Sequence, residues 1–314
     1  SNLRRNLFPP TRWNGLKVEG GLLKMKKDLI SIKDLSVAEM EAIFSLTDEL
    51  KSDRAKFGQA LKGKTLALIF QKPSCRMYQL GGYSIYLGPD EINLGVRESI
   101  EDVSKTLSRY VDAIVLRTFE HKNILEMAKA ATVPVINGLS DFEHPCQALA
   151  DVYTVREKLK SLKNVTFAYV GDGNNVCNSL IYACAKLGIK MNLAMPKGYE
   201  PDKSVLSANK VNLSRNPFLA AKGADVIYTD VWTSMGQEKE AKLRKKIFKK
   251  FQVNKQLLKA ARKDALIMHC LPAHRGEEIT DEVMKSKNSI IFDQAENRMH
   301  AQKAILIKLL GKES

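Results

Sequence analysis

From Met25 onward the chain alternates short apolar runs with longer stretches in which apolar residues return every three or four positions. Thr65-Leu66-Ala67-Leu68-Ile69-Phe70 is an unbroken run, as expected of a strand covered on both faces. Ile85-Tyr86-Leu87, Ala113-Ile114-Val115-Leu116-Arg117 and Val133-Pro134-Val135-Ile136-Asn137 repeat that signature. Helical periods lie between them: Met77 to Leu80 before a Gly81-Gly82 turn, Ser99 to Tyr110, and a stretch through Met127. Ahead of the first strand, Ser36 with Glu39 three positions on is a capping-box signature for a helix from Val37 to about Ser52.

From His144 to about Leu162 a long helical stretch, with a break, joins this part to a second one where the rhythm restarts. Val165 to Val170, Met191 to Met195, Ala224 to Thr229 and Ala265 to His269 read as strands, with a helix over Ser179 to Leu187. Ile290-Ile291-Phe292 reads as one more short strand, and about Asn297 to Leu310 as a closing helix. The alternation predicts an α/β protein of two doubly wound parallel-sheet domains. Ligands then belong in the cleft between the domains, at the carboxyl ends of strands, and the C-terminal helix crosses back to the first domain.

Length and composition agree. A chain of 314 residues, 44 % of them apolar, suits two domains with ordinary cores, and no apolar run approaches the roughly 20 residues of a membrane span. The formal charge of +15 is spread out. Its densest cluster, Lys242, Arg244, Lys245, Lys246, Lys249 and Lys250, reads as the solvated face of a helix. A small anionic substrate is therefore a better use of the charge than nucleic acid. Five cysteines without paired spacing (Cys75, Cys146, Cys177, Cys184, Cys270) predict no disulfide framework and no zinc site, and fit a reducing compartment. The first 24 residues carry Arg4, Arg5, Arg12, Lys17 and Lys24 against one acid, Glu19. They read as a leader or tail, with an organelle-targeting remnant as one alternative. The cytoplasm is the default location, an organelle matrix the other.

Four clusters stand where strands end. Lys72-Pro73-Ser74-Cys75-Arg76 offers hydroxyl, guanidinium and helix-opening N–H groups to a phosphate, or is an ordinary helix cap with a surface arginine. Arg117-Thr118 is a ligand clamp or a surface ion pair. His144 and Gln147, three apart at a helix start, can face one ligand. An imidazole donates to a carbonyl oxygen as charge builds on it, and a glutamine carbonyl accepts from an amide NH₂. Cys270, in His269-Cys270-Leu271-Pro272, would need a histidine base to act as a nucleophile, and none is marked. Gly171-Asp172-Gly173-Asn174-Asn175 lacks the third glycine of a dinucleotide fingerprint, and its asparagines would point into the cleft.

Together these clusters resemble the aspartate/ornithine carbamoyltransferase family, from about Met25 to Leu310. The family's Ser-Thr-Arg-Thr motif stands here as Ser74-Cys75-Arg76-Met77, and its His-Pro-x-Gln motif as His144 to Gln147. The ornithine branch is matched by Asp230-Val231-Trp232-Thr233-Ser234-Met235-Gly236-Gln237, by His269-Cys270-Leu271-Pro272 and by Glu296-Asn297-Arg298.

The resemblance implies transfer of the carbamoyl group of carbamoyl phosphate to the side-chain amine of L-ornithine, giving citrulline and phosphate, with no metal or cofactor. It implies a carbamoyl-phosphate domain over 25–155 plus the helix 297–314, and an ornithine domain over 156–296. Ser74, Cys75, Arg76 and Arg117 would hold the phosphate. Arg117, His144, Arg298 and the backbone at Cys270 and Leu271 would polarise the carbonyl, and Gln147 would grip the carbamoyl nitrogen. Asn175, Asp230, Ser234 and Met235 would bind ornithine, with Asp230 pairing its α-ammonium group. Family members resemble one another in forming trimers with sites between subunits, and Asn93 would be the residue lent by a neighbour.

Two departures oppose this pattern. The family has about eight residues between its Ser-x-Arg and the Met-x-x-Leu-Gly-Gly turn, where Arg76 here runs directly into Met77. That removes about two helical turns and the second threonine of the phosphate cradle. A second shortening lies between Ser207 and Val211. Cuts through packed elements are costly, which points to segments of the natural chain absent from this sequence. The alternatives are a catalytically impaired paralogue that keeps the fold, and a carbamoyltransferase for putrescine or acetylornithine. Asp230 and the Ser-Met-Gly loop favour an acceptor with a free α-amino group, which putrescine lacks and acetylornithine has blocked.

Overall fold

The structure, a computed structural model, describes residues 28–53, 55–70, 80–234 and 236–311. In the first half, strands β1 (Thr65–Phe70), β2 (Tyr83–Leu87), β3 (Ala113–Arg117) and β4 (Val135–Leu139) form a parallel sheet in the order β2-β1-β3-β4. Helices α1 (Val37–Ser52), α2 (Pro89–Ile92), α3 (Ile100–Leu107) and α4 (His121–Ala130) accompany them. The period-2 pleat divides β1 between two cores. Leu66, Leu68 and Phe70 pack with residues of α1, while Ala67 and Ile69 pack with residues of α3 and α4. That two-sided cover is why the run is apolar throughout. Ser36 caps α1 as expected, accepting from the Glu39 amide, while the Glu39 carboxylate accepts from the Ser36 amide.

A 15-residue helix, α5 (Pro145–Leu159), leads into the second half. There α6 (Asn175–Lys186), α7 (Lys203–Ala208), α8 (Pro217–Ala221), α9 (Ala241–Phe248), α10 (Lys255–Leu258) and α11 (Asp281–Met284) surround a second parallel sheet. Its strands are β5 (Thr166–Val170), β6 (Lys190–Ala194), β7 (Asn212–Ser214), β8 (Val226–Thr229) and β9 (Leu266–His269), in the order β7-β6-β5-β8-β9. The final helix α12 (Ile291–Leu310) returns to the first half, and its Ala304, Ile305 and Leu309 share a core with α1 and α5. That core runs on through α6 to Phe167, Tyr169 and Tyr228 of the second sheet. The shortened stretch after Ser207 still makes a helix followed by a parallel strand, α7 then β7.

Several expectations need correction. Ile290–Phe292 is not a strand. It opens α12, where burial at Ile291, Gln294, Asn297, Arg298 and Ala301 follows the helical period and Phe292 is exposed. Three apolar residues fit either element, and length decided for helix. The linking helix α5 has no break: Pro145 to Val155 are all buried, and the helix ends only where Lys160 turns left-handed at φ 63°. Nor is the basic cluster wholly a solvated face. Arg244 is buried, with Nη1 donating to Asp172 at 3.1 Å and to the Trp232 carbonyl at 2.8 Å and its guanidinium over Tyr199.

Candidate active site

The candidate residues gather where both sheets present the carboxyl ends of their strands. Arg117 ends β3, next to a bulge where the register with β4 skips Gly138. A Cβ on Gly138 would stand 3.0 Å from Val115 Cγ1 and 3.2 Å from the Leu116 carbonyl, so the bulge that re-aims Arg117 needs glycine opposite it. After β4 the chain turns through Ser140 and Glu143 into α5, whose N-cap is His144 and whose first residue is Pro145. The cap loop is tied down by Glu143. Its buried carboxylate accepts from Ser31 Oγ, from the Ile32 amide at 3.1 Å and from Ser179 Oγ at 3.2 Å, while the His144 amide donates to Ser179 Oγ at 2.8 Å. Burial pushes the Glu143 carboxyl up and these donors pull it down.

His144, Gln147 and Arg298 meet in a buried cluster. Arg298 Nη1 donates to Gln147 Oε1, and Nη2 lies 3.1 Å from His144 Nε2. With the Gln302 amide turned to satisfy its neighbours, its oxygen accepts from Arg298 Nε at 3.0 Å and Nη2 at 3.2 Å. This cluster sits at the amino end of α5, where the helix dipole favours negative charge. Two polar stripes align α12 on α5. Gln294 donates to Asp151 at 2.7 Å and Asn297 to Thr154 at 3.1 Å, and Lys51 of α1 donates to Asn297 at 2.8 Å.

The second half contributes Asp230, just past β8. It accepts from Asn174 Nδ2 at 2.7 Å and from Cys270 Sγ, just past β9, at 2.9 Å. Asn175 opens α6 and donates to the Ser140 carbonyl, so the two halves touch beside the cluster. Ser234 is half-buried in a turn closed by its carbonyl accepting from the Gln237 amide at 3.0 Å. Leu271 takes a left-handed backbone, φ 58°, and donates its amide to His269 Nδ1 at 2.9 Å. Asn93 stands exposed at the end of α2 with φ 40°, and among the described residues its side chain makes no hydrogen bond to the other candidates. Ser74, Cys75, Arg76 and Met235, like the expected helix from Met77 and the leader 1–24, lie outside the described residues.

Burial and the neighbouring Asp230 push the Cys270 thiol well above its usual range, so it is a hydrogen-bond donor and no thiolate nucleophile. Asp230, His269 and Cys270 bring metal-competent atoms within 4.8 Å of one another. Each has a hydrogen-bond partner: the thiol donates to Asp230, and His269 accepts from Leu271 through Nδ1 and meets Glu278 through Nε2 at 3.0 Å. Asp151, Tyr228 and Gln294 knit the cluster to both halves, and of the three Asp151 carried a signal in the sequence. His144, Gln147, Asp151 and Thr154 form a polar stripe at helical spacing along the otherwise apolar buried stretch from Pro145 to Val155.

Residues 27–157 match the family model for the carbamoyl-P binding domain of aspartate/ornithine carbamoyltransferase, and residues 163–309 match its Asp/Orn binding domain. The chain belongs to the aspartate/ornithine carbamoyltransferase family. Within it, the chain is 53 % identical to a protein of Archaeoglobus fulgidus named ornithine carbamoyltransferase, over 92 % of this chain and 99 % of that one. Its structure superposes on the ornithine carbamoyltransferase of Pyrococcus furiosus with a TM-score of 0.86 at 50 % identity, over 90 % of this chain and 97 % of that one. For the Thermus thermophilus ornithine carbamoyltransferase the TM-score is 0.85 at 44 % identity, over 91 % and 99 %. The alignment with the Archaeoglobus protein runs over 303 positions, more than 92 % of 314 residues supply, so that relative has residues without a counterpart here.

Proposed function

We propose that this chain transfers the carbamoyl group of carbamoyl phosphate to the side-chain amine of L-ornithine, giving L-citrulline and phosphate in arginine metabolism. The observation that carries the reading is the buried Arg298–Gln147–His144 cluster at the amino end of α5, facing chemistry that needs cationic donors and no covalent intermediate. Residues 25–155 with the helix 297–314 bind carbamoyl phosphate, and 156–296 bind ornithine. Ser74, Cys75, Arg76 and Arg117 hold the phosphate. The unprotonated ornithine amine attacks the carbamoyl carbon, and the charge that builds on the oxygen is met by Arg117, His144, Arg298 and the backbone at Cys270 and Leu271. Gln147 accepts from the carbamoyl NH₂, the phosphate leaves, and the amine loses its proton. Asn175, Ser234 and Met235 hold the amino-acid end of ornithine, and Asp230 pairs with its α-ammonium group.

The assembly is a homotrimer, or a larger set of trimers, in a reducing cytoplasmic compartment. Edge strand β2 supports a subunit contact there: Tyr83 and Tyr86 are exposed on it, and Val96 beside Asn93 is 79 % exposed. Among the described residues no helix is long and apolar enough to cross a membrane.

Citrulline formation tests the reading, with ornithine, putrescine and acetylornithine as parallel acceptors, on wild type and Arg117→Ala. Ornithine-dependent turnover lost in the variant supports it. A second reading, an impaired paralogue that keeps the fold, rests on the positions after Arg76 that the family has and this chain lacks. A folded wild type inactive with every acceptor would favour it.

A further inference from the structure

Asp151 lies one helical turn beyond Gln147 on α5 and has no accessible surface. Its carboxylate collects donors from three elements. Oδ1 accepts from Gln147 Nε2 and from Gln294 Nε2, each at 2.7 Å, and Oδ2 accepts from Tyr228 Oη at 2.8 Å. Each glutamine is held at its other end by a donor: Gln147 Oε1 accepts from Arg298, and Gln294 Oε1 accepts from the His269 amide at 3.0 Å. With a carboxylate at one end and an N–H donor at the other, neither amide can turn over without setting donor against donor and stranding an acceptor.

We propose that Asp151 is a positioning residue for carbamoyl transfer, fixing the Gln147 amide so that its oxygen, and never its NH₂, meets the carbamoyl nitrogen. This rests on the carbamoyl-transfer reading above. Gln147 Oε1 has two lone pairs, one for Arg298 and one for a carbamoyl N–H. A reversed amide would aim NH₂ at both the guanidinium and the carbamoyl NH₂, and the site would lose its means of telling NH₂ from a methyl group. Through Gln294 the same carboxylate also ties down the backbone at His269, next to Cys270. Burial pushes the Asp151 carboxyl up to about 6, while its three donors and the Arg298 charge pull it down, so at neutral pH it is ionised and only accepts.

The test compares carbamoyl phosphate, acetyl phosphate (methyl in place of NH₂) and inorganic phosphate as ligands of the full chain. Wild type should prefer carbamoyl to acetyl phosphate. Asp151→Ala should lower that preference by about tenfold, leaving inorganic phosphate binding and the ornithine KM near wild type. A purely structural loss would weaken all ligands together. Should the alanine variant not fold, a charge swap answers the same question. Gln147→Glu alone buries two carboxylates side by side, and adding Asp151→Asn removes one of the two charges and lets the new NH₂ donate to the new carboxylate, though it then meets the Gln294 NH₂, so the double variant should exceed Gln147→Glu in kcat/KM by about tenfold. An active wild type with its preference unchanged in Asp151→Ala, or a double variant no better than Gln147→Glu, overturns this proposal alone. A wild type that neither binds carbamoyl phosphate nor makes citrulline overturns the functional reading and this proposal with it.

Discussion

Arg298 Nη2 lies 3.1 Å from His144 Nε2, although 154 positions separate the two residues in the chain. A guanidinium has only donors, so this nitrogen of His144 accepts and the hydrogen of the neutral ring belongs on Nδ1. The contact depends on α12 returning across the molecule to lie on α5. It makes Arg298 answerable to the histidine and to Gln147 at once, through two nitrogens of one planar fork. A lysine offers a single compact nitrogen in place of the planar fork and cannot reproduce both contacts in this geometry. Arg298→Lys should therefore lower kcat/KM for citrulline formation by about 10²–10³ with the fold intact. Activity within about threefold of wild type would show that the fork is not used.

Cys270 sits at the strand end where a nucleophile would stand, yet burial and Asp230 hold it as a thiol. Cys270→Ser keeps a group that can donate to Asp230, so it should retain turnover within about tenfold of wild type, a nucleophile loss being far larger. Alkylation by iodoacetamide at pH 7 should be slow and should quicken only in strong alkali. Mass spectrometry of the working enzyme should find no carbamoyl adduct on the cysteine. Rapid stoichiometric alkylation at pH 7, or such an adduct, would count against this account.

Most of the fold could be read from the chain because each buried strand writes a solid apolar run between helical periods, as Thr65–Phe70 and Thr166–Val170 do. The misreadings share one cause, that a short segment does not announce its partner. Ile290–Phe292 is apolar in either element, and it becomes helix because it opens the long run to Leu310, whose Gln294 and Asn297 pair with Asp151 and Thr154. Arg244 looks like its lysine neighbours until Asp172, 72 positions away, is folded against it. His144, Gln147 and Arg298 were visible as candidates through their motifs, whereas Asp151 could be seen only as a polar residue out of place on an apolar helix face. The tie between them is a tertiary fact, and no local pattern encodes it.

Two buried carboxyls set a pH response of unusual sign. Burial raises both Asp151 and Asp172 from 3.8 to about 6. Between those values the folded chain holds protons that the unfolded chain has released, so acidification from pH 7 toward pH 5 stabilises the fold through these groups. Each contributes up to about 3 kcal/mol on this order-of-magnitude linkage, lost again as pH rises through about 6. Activity should move the other way, because protonated Asp151 no longer holds Gln147 by acceptance alone. Urea unfolding at pH 5, 6 and 7 checks the sign: the stability gained on acidification should shrink in Asp172→Asn. An equal gain in that variant would remove Asp172 from the account.

Gly173 tests what the Gly-x-Gly turn after β5 is for. A Cβ there would stand 2.3 Å from Pro201 N and 2.5 Å from the Glu200 carbonyl carbon, both backbone atoms that cannot rotate away. The Gly173 amide donates to the Tyr199 carbonyl at 2.9 Å, so the loop is held against the glycine as well as excluded by it. The close approach is between two pieces of this chain, and no room for a dinucleotide is needed to explain it. Directly after Gly173 come Asn174, which caps α6 and donates to Asp230, and Asn175. Gly173→Ala must push the 196–201 loop outward or tilt the turn, at a cost of about 1–3 kcal/mol. The tilt carries Asn174 and Asp230 with it, so the KM for ornithine should rise more than that for carbamoyl phosphate. Urea unfolding gives the first quantity and steady-state kinetics with each substrate varied gives the second. A variant as stable as wild type, with both KM values unchanged, would mean that the loop yields freely and that the glycine does not set the acceptor side of the site.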